Sequence, residues 1–348
     1  MNGNLPIMLP RMQDRSAVTI INALVLLLAS VFGLWLVGLR GVEIGTDTQT
    51  YAGFFEVLSN GIPETRLEPG FVYISYVLRQ IGLGVTEYQI ALFALLLATV
   101  FVAARAYHVY LRADSRLSTY LVLTLALLYF SPMFANATIN AIRQGLASLL
   151  VFTALLSFQR KEWPLFALFA LISISLHYSS ILYLIFAPVL MFKGRWPLYL
   201  AALSFLLYVS GLSLIAVRTL IPGLYDAVME YASSAVYRSG VRIDFAIFSI
   251  FWYVVLQALL PLVQERYRER ISDGATIYLV MLLPFFAVGW GSFSNRYLLP
   301  AWLSISLIYA AVFCCGRIRF LRNPFLLQAL LLASCPVFYI YITRGIVI

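Results

Sequence analysis

The stretch "NATINAIRQGLASLL" (Asn136–Leu150) decides how this chain is read. Apart from its amides, threonine, serine and arginine it is as apolar as a membrane-spanning helix. Yet Asn136, Asn140, Arg143 and Gln144 recur at i, i+4, i+7 and i+8, one face of a continuous helix. Burying an arginine at the centre of a bilayer costs on the order of 2.5–3.5 kcal/mol on insertion scales. Arg143 is therefore expected to face a cavity or a partner, not lipid.

The surrounding sequence supports the membrane setting. The 348 residues are 62% hydrophobic and only 11% charged, with a mean hydropathy of +0.90. Runs such as "AVTIINALVLLLASVFGLWLVGL" (Ala17–Leu39) can cross a hydrocarbon core of roughly 30 Å, which takes about 20 helical residues. A closed β-barrel would instead need short segments alternating apolar with polar. The expected fold class is all-α: a polytopic transmembrane helical bundle forming a single integral membrane domain over residues 1–348. The first apolar run is too long for a signal-peptide core and lacks a small-residue cleavage site, so it is expected to be a retained span. Cys314, Cys315 and Cys335 lie in or beside apolar segments and offer neither a disulfide framework nor metal-ligand spacing.

The net charge of +9 does not point to nucleic acid, because the basic residues sit in short turns. These are Arg11/Arg15, Arg105/Arg112/Arg116, Arg160/Lys161, Lys193/Arg195, Arg266/Arg268/Arg270 and Arg317/Arg319/Arg322. Such turns mark cytoplasmic loops under the positive-inside rule, and they hold roughly 15 of the 24 Lys+Arg. Alternating sides between them gives about eleven spans. They fall near 18–38, 86–104, 117–133, 134–158, 163–177, 178–192, 196–217, 245–264, 275–294, 296–316 and 324–343. Two outer segments remain, 39–85 and 218–244. Within the first, Phe71–Leu83 carries Arg79 and Gln80 and is too short to cross, so it reads as an interfacial helix. Residues 163–192 are short for two crossings, but a single one would reverse the sidedness of Lys193/Arg195. Short helices thin the nearby membrane, which suits a site open to a lipid-borne substrate.

On this map the misplaced polar residues gather at the outer side: Arg40, Glu43, Asp47 and Glu68 in the first outer segment, Arg143 two turns inside its helix, His177 in "SISLHYSS", Arg238 and Arg242 in the second outer segment, and Arg296 in "GSFSNRYLLP". A solvated loop carboxylate is the ordinary reading for Glu56, Glu64, Asp226 and Glu230. For Arg40 an interfacial anchor, and for His177 a helix cap, are the plain alternatives. Converging arginines nevertheless ask for a ligand of two or more negative charges, since the guanidinium fork pairs two phosphate oxygens and stays charged in low dielectric. At a membrane–water boundary a lipid pyrophosphate fits that description. Asn136, Asn140 and Gln144 can bind sugar hydroxyls or orient Arg143. No DxD, HExxH or phosphate-cradling glycine motif appears, so neither a metal nor a cofactor is called for.

Five pieces of sequence carry a family resemblance: "RGVEIGTDTQTY" (Arg40–Tyr51), "LEPGF" (Leu67–Phe71), "NAIRQGLA" (Asn140–Ala147), "SLHYSS" (Ser175–Ser180) and "NRY" (Asn295–Tyr297). In order and spacing the chain resembles the EpsG/Wzy-type polysaccharide polymerases of bacterial membranes. The first piece departs from a plain G-x-D form through Glu43, leaving open whether Glu43 or Asp47 is the important acid. The resemblance implies a GT-C-like membrane glycosyltransferase in the bacterial cytoplasmic (inner) membrane, with its active site facing the periplasm. It implies undecaprenyl-pyrophosphate-linked oligosaccharide as substrate, membrane lipid as surroundings and a chain-length regulator protein as candidate partner, with O-antigen, capsule or exopolysaccharide as product. In that frame Arg143, Arg296, Arg40, Arg238 and Arg242 are the candidate pyrophosphate ligands. His177 is the candidate base, with Asp47 or Glu68 as the carboxylate alternative. Tyr51 and Tyr225 are candidate sugar platforms. A polysaccharide ligase would need the same arginines but tends to carry a larger outer loop. A transporter or flippase would need charge along a transmembrane path and an internal repeat, and neither is visible.

Overall fold

The computed structural model describes residues 12–192, 194–233, 240–291 and 293–344, leaving aside the side chains of 12–15 and 230–233. Its first helix, α1 (Met12–Gly38), leaves Leu24, Leu27, Leu28, Val31 and Trp35 exposed along its length. In water such a stripe would be an aggregation liability; against hydrocarbon it is unremarkable. The same pattern recurs on α8 (Trp163–Leu176), through Leu165, Leu168 and Leu171, and on α13 (Ile243–Leu259), through Ile247, Phe251 and Val254. The protein is a multi-pass membrane protein.

Among the described residues the chain forms sixteen α-helices and no named strand. Seven segments are long and apolar enough to cross a membrane. They comprise α1, α4 (Val85–Leu111), α7 (Ile142–Gln159), α13 with the short turn after it, α14 (Glu265–Val288), α15 (Leu299–Cys314) with the turn before it, and α16 (Pro324–Thr343). Two bent pairs raise the number to nine: α5 (Leu117–Phe130) with α6 (Pro132–Ile139), at 79°, and α10 (Trp196–Val209) with α11 (Leu212–Leu220), at 85°. The remaining apolar pieces are shorter: α8 and the stretch Ser180–Met191, which begins as α9 (Ser180–Leu184).

Burial separates centre from rim. The apolar windows of α7 and α15 are 83% buried, against 17% for α13. In α7 the buried hydroxyls of Ser148, Thr153 and Ser157 donate to the carbonyls of Gln144, Leu149 and Thr153 at 2.7–2.9 Å. Donation four residues back lets a polar side chain sit in an apolar interior without an orphaned group.

The structure corrects the opening reading in one respect. The expected span 134–158 is not one helix: α6 stops at Ile139, Ala141 leaves helical geometry at φ −124°, ψ 48°, and α7 starts at Ile142. Asn136 therefore lies on a different helix from Arg143 and Gln144, and Asn140 is the residue that caps the end of α6. Arg143 is the second residue of α7, not two turns inside it. The cause is tertiary. The Asn140 amide bonds Asn136 Oδ1 at 2.8 Å and accepts from Thr46 N at 2.7 Å, and the Ile139 carbonyl accepts from Thr48 Oγ1 at 3.0 Å instead of continuing the helix. Two other spans also differ from expectation. The 196–217 segment bends sharply, and α14 starts at Glu265, taking Arg266, Arg268 and Arg270 into its first turns. Residues 218–244, expected as a loop, contain α12 (Pro222–Ser233).

The two ends of the bundle are chemically distinct. At one, four basic turns meet: Arg270 Nη1 donates to Leu111 O at 2.9 Å, Arg317 N to Leu262 O at 2.7 Å, and the Arg160 guanidinium lies 5.7 Å from the Tyr110 ring centre. At the other end lie α2 (Thr48–Val57), α3 (Pro69–Gln80), α12 and the starts of α7 and α15, with the polar residues singled out above. At 12 residues α3 is about 18 Å long, too short to cross. It buries Phe71, Val72 and Ser75 and exposes Tyr73 and Val77, with Ile81 exposed just past its end.

Candidate active site

Two close backbone approaches build the site. In the turn before α2, Gly45 has φ +95°, and a Cβ there would stand 2.5 Å from Ile139 O. Only glycine tolerates both that conformation and that contact. The approach lets Thr48 Oγ1 donate to Ile139 O at 3.0 Å and places Asp47 at the start of α2. The second approach is at Gly70, where a Cβ would lie 2.7 Å from Ser175 O, so α3 packs directly on the end of α8. Pro69 opens α3, where a missing N–H costs nothing. Glu68 caps the helix with its carbonyl, which accepts from Val72 N at 2.9 Å, and its carboxylate is left for tertiary use.

That carboxylate is the hub. Glu68 Oε1 accepts from His177 Nδ1 at 2.8 Å and from Tyr178 N at 3.1 Å, while Oε2 accepts from Arg143 Nη1. Its side chain is 4% exposed. Burial alone would push the carboxyl up. The His177 hydrogen bond, the His177 charge and the Arg143 charge together outweigh that and hold it at about 2. Glu68 is thus ionised and acceptor-only, so His177 presents a proton to it from Nδ1, which leaves Nε2 as the ring nitrogen not engaged by Glu68. Arg143 is fixed on its other side by donating Nε–H to the Tyr51 hydroxyl at 2.8 Å. Across the cavity, Arg296 Nη2 donates to Asp47 Oδ2 at 3.2 Å, and the Arg296 carbonyl accepts from the Gln144 amide. Burial pushes the Asp47 carboxyl up, opposed by the charges of Arg296 and Arg143.

These groups enclose a cavity of about 250 Å³ whose wall includes Glu68, Arg143, Gln144, His177 and Arg296. The remainder is Ser179, Val228 of α12, Gly291, Phe293 and Tyr297. Two arginines, one imidazole and a buried carboxylate from four separate stretches of chain therefore share one hollow.

Other expected site residues fall elsewhere. The Asn136 and Asn140 amides are spent on each other and on Thr46, and neither lines the cavity. Tyr51 is not an open platform: it is buried, its ring edge-on to Phe71 at 5.3 Å, and its hydroxyl holds Arg143. Tyr225 packs 5.4 Å from the Trp290 ring, outside the lining. Arg40 is buried, donates to Thr48 Oγ1 at 3.3 Å, and is pushed down to about 10 by desolvation. Arg242 is taken by Asp244 through bonds of 2.9 and 2.6 Å. Neither arginine lines this cavity. Arg238 lies outside the described residues. Glu43 is exposed and makes no ion pair among them, whereas Asp47 engages Arg296.

Sequence reading missed Ser179, whose enclosed Oγ finds no hydrogen-bond partner, although it belongs to the same "LHYSS" that contains His177. It also missed Val228 and Phe293, apolar residues that carry no signal of their own. Among the described residues no three His, Cys, Asp or Glu side chains gather as a metal site.

A helical membrane bundle with an arginine-rich, histidine-bearing cavity at one end is the class these features define. A family model described as the EpsG family matches residues 23–346, nearly the whole chain, and the chain belongs to that family. It is a family of polysaccharide-polymerase type. No curated protein and no solved structure matches.

Proposed function

We propose that this protein is a glycosyltransferase that polymerises undecaprenyl-pyrophosphate-linked oligosaccharide repeat units at the outer face of the bacterial cytoplasmic membrane. The observation that carries the reading is Glu68 gripping both Arg143 and His177 on the wall of a cavity that Arg296 also lines. The hydroxyl at the non-reducing end of one lipid-linked unit attacks the anomeric carbon of the glycan on another carrier. A carbon–oxygen bond forms to the acceptor, the bond to the pyrophosphate breaks, and its electron pair leaves with the lipid pyrophosphate. Arg143 and Arg296 stabilise the charge that develops there, the kind of electrostatic contribution usually largest in such reactions. The acceptor proton passes to His177 Nε2 and then to water.

The geometry favours His177 over Glu68 as the base. A carboxylate held near 2 and already accepting three hydrogen bonds is a poor proton acceptor at neutral pH, but a good clamp for an imidazole tautomer. Glu68 and Tyr51 are then positioning residues for the base and for Arg143, and Asp47 is one for Arg296. Gln144 and Ser179 offer hydrogen bonds to sugar or phosphate. The reading carries eleven passages through the membrane: the seven long spans, each bent pair counted once, and the two shorter apolar pieces. Neighbouring basic turns then share the cytoplasmic side, in a GT-C-like arrangement with the cavity facing the periplasm.

The decisive experiment incubates purified protein with a synthetic lipid-pyrophosphate repeat unit. A ladder of lengthening oligomers supports polymerase; transfer only to a different acceptor makes the protein a ligase. Movement of lipid-linked glycan across vesicles without bond formation makes it a transporter.

A further inference from the structure

A second polar cavity, larger than the first, is at the opposite end of the bundle. It measures about 360 Å³, and its wall includes Ser115, Arg116, Gln264, Tyr267, Cys314 and Arg322. We propose that this cavity is a binding site for the phosphate headgroup of an anionic phospholipid.

The balance of charge is the first argument. The one acid on the wall, Asp114, is paired with Arg266, so its charge is cancelled within the protein. Arg116 and Arg322 form no ion pair among the described residues; Arg116 donates instead to the neutral Thr19 hydroxyl. Two guanidinium charges therefore face one hollow without a counter-charge from the protein. The second argument is an orphaned polar group. Arg322 Nε is enclosed and finds no hydrogen-bond partner. Arg322 is a lining residue, and buried polar groups in a native protein are nearly always satisfied. A phosphate oxygen would accept from it.

Helix ends add to this. Arg116 caps α5 and Gln264 caps α14, and neither side chain bonds a first-turn N–H of its helix. Pro324 at the start of α16 is also on the wall. Two uncapped helix N-termini, each with partial positive charge, together with the Asn323-capped start of α16, thus border a cavity that already holds two arginines. Glu265, in the first turn of α14, is exposed and not on the wall.

The rim selects a lipid over a soluble phosphate. Ile20 and Ile21 on α1, Phe320 in the turn before α16 and Phe325 at its start are exposed apolar side chains within three residues along the chain of the lining residues Val18, Arg322 and Pro324. They offer hydrocarbon contact to acyl chains where the arginines offer charge to the headgroup. Basic pockets between transmembrane helices on the cytoplasmic side are a recurrent form of anionic-lipid site.

The test uses the full chain in detergent, titrated with short-chain phosphatidylglycerol, with phosphatidylcholine of the same chain length, or with inorganic phosphate, while thermal unfolding and lipid-bound mass are followed. Wild type should be stabilised and retain bound lipid with phosphatidylglycerol only. Arg322→Gln should weaken that binding about tenfold, equivalent to 1.4 kcal/mol, and Arg116→Gln/Arg322→Gln should abolish it. Arg322→Lys, which keeps the charge, should recover part of it and serves if the double variant does not fold. Equal responses to phosphatidylcholine, or equal binding by wild type and Arg322→Gln, would overturn the proposal. Stabilisation by inorganic phosphate that displaces the lipid would make this a soluble-phosphate site and overturn the lipid assignment.

Discussion

Arginine–carboxylate pairs occur at both ends of this molecule, and they do different things. At the basic end, Arg266 and Asp114 meet with side chains 56% and 65% exposed. At the other, Arg143 and Glu68 are 19% and 4% exposed, and the same carboxylate also holds His177. An exposed pair is screened by water and contributes little. A buried one needs further partners to offset desolvation, and Glu68 has them in His177 and Tyr178 N. The contrast sets the candidate site apart by the number of partners its carboxylate holds, not by the presence of charge.

The sharpest way to break that contrast is Arg143→Ala, which should leave the protein inserted while cutting oligomer extension by about 10³-fold, the scale for a lost transition-state donor. Arg143→Lys should recover little, because a point charge does not replace the two-sided grip on Tyr51 and Glu68. A gel of product lengths reads both. His177→Ala should cost about 10²- to 10³-fold in rate with donor binding retained, which single-turnover kinetics would separate from a binding defect. Unimpaired turnover would move the base to a carboxylate. Glu68→Gln should cost about 10- to 100-fold, the scale for losing an orienting partner, with kcat falling more than KM rises.

The same comparison can be read through pH. Glu68 is held at about 2 in the folded protein against an ordinary value of 4.5. A depressed carboxylate contributes stability that is complete above the unfolded value and is lost as pH falls through the folded one. Thermal stability should therefore fall as pH drops from about 4.5 to 2, and Glu68→Gln should flatten that slope. The smallest effect belongs to the other end: Asp114→Asn should change unfolding stability by no more than about 1 kcal/mol and leave oligomer extension untouched.

Much of this site was legible in advance, for a reason particular to membranes. In an apolar background each charged residue is costly, so Arg143, His177, Glu68, Asp47 and Arg296 stood out without any structure. Two of the three amides read differently in place. A helical repeat puts Asn136 and Asn140 beside Arg143, whereas the chain leaves helical geometry at Ala141 and their side chains bond each other and Thr46; Gln144 alone lies on the cavity wall. Tyr51 was legible as an aromatic near the site but not as the group that steers a guanidinium, since nothing local in "TDTQTY" encodes a partner 92 residues away.

By itself, then, the amino-acid order determined a helical membrane bundle, the segregation of basic turns from the other polar residues, and the roster of costly side chains. Those follow from transfer energies that act residue by residue. Tertiary structure alone decided which of them meet: that Glu68 serves Arg143 and His177 together, that Asp47 and not Glu43 holds Arg296, and that Arg40 and Arg242 stand aside. Such choices depend on how closely backbones approach, at Gly45 against Ile139 and Gly70 against Ser175, and close approach is a property of packed helices rather than of any one of them.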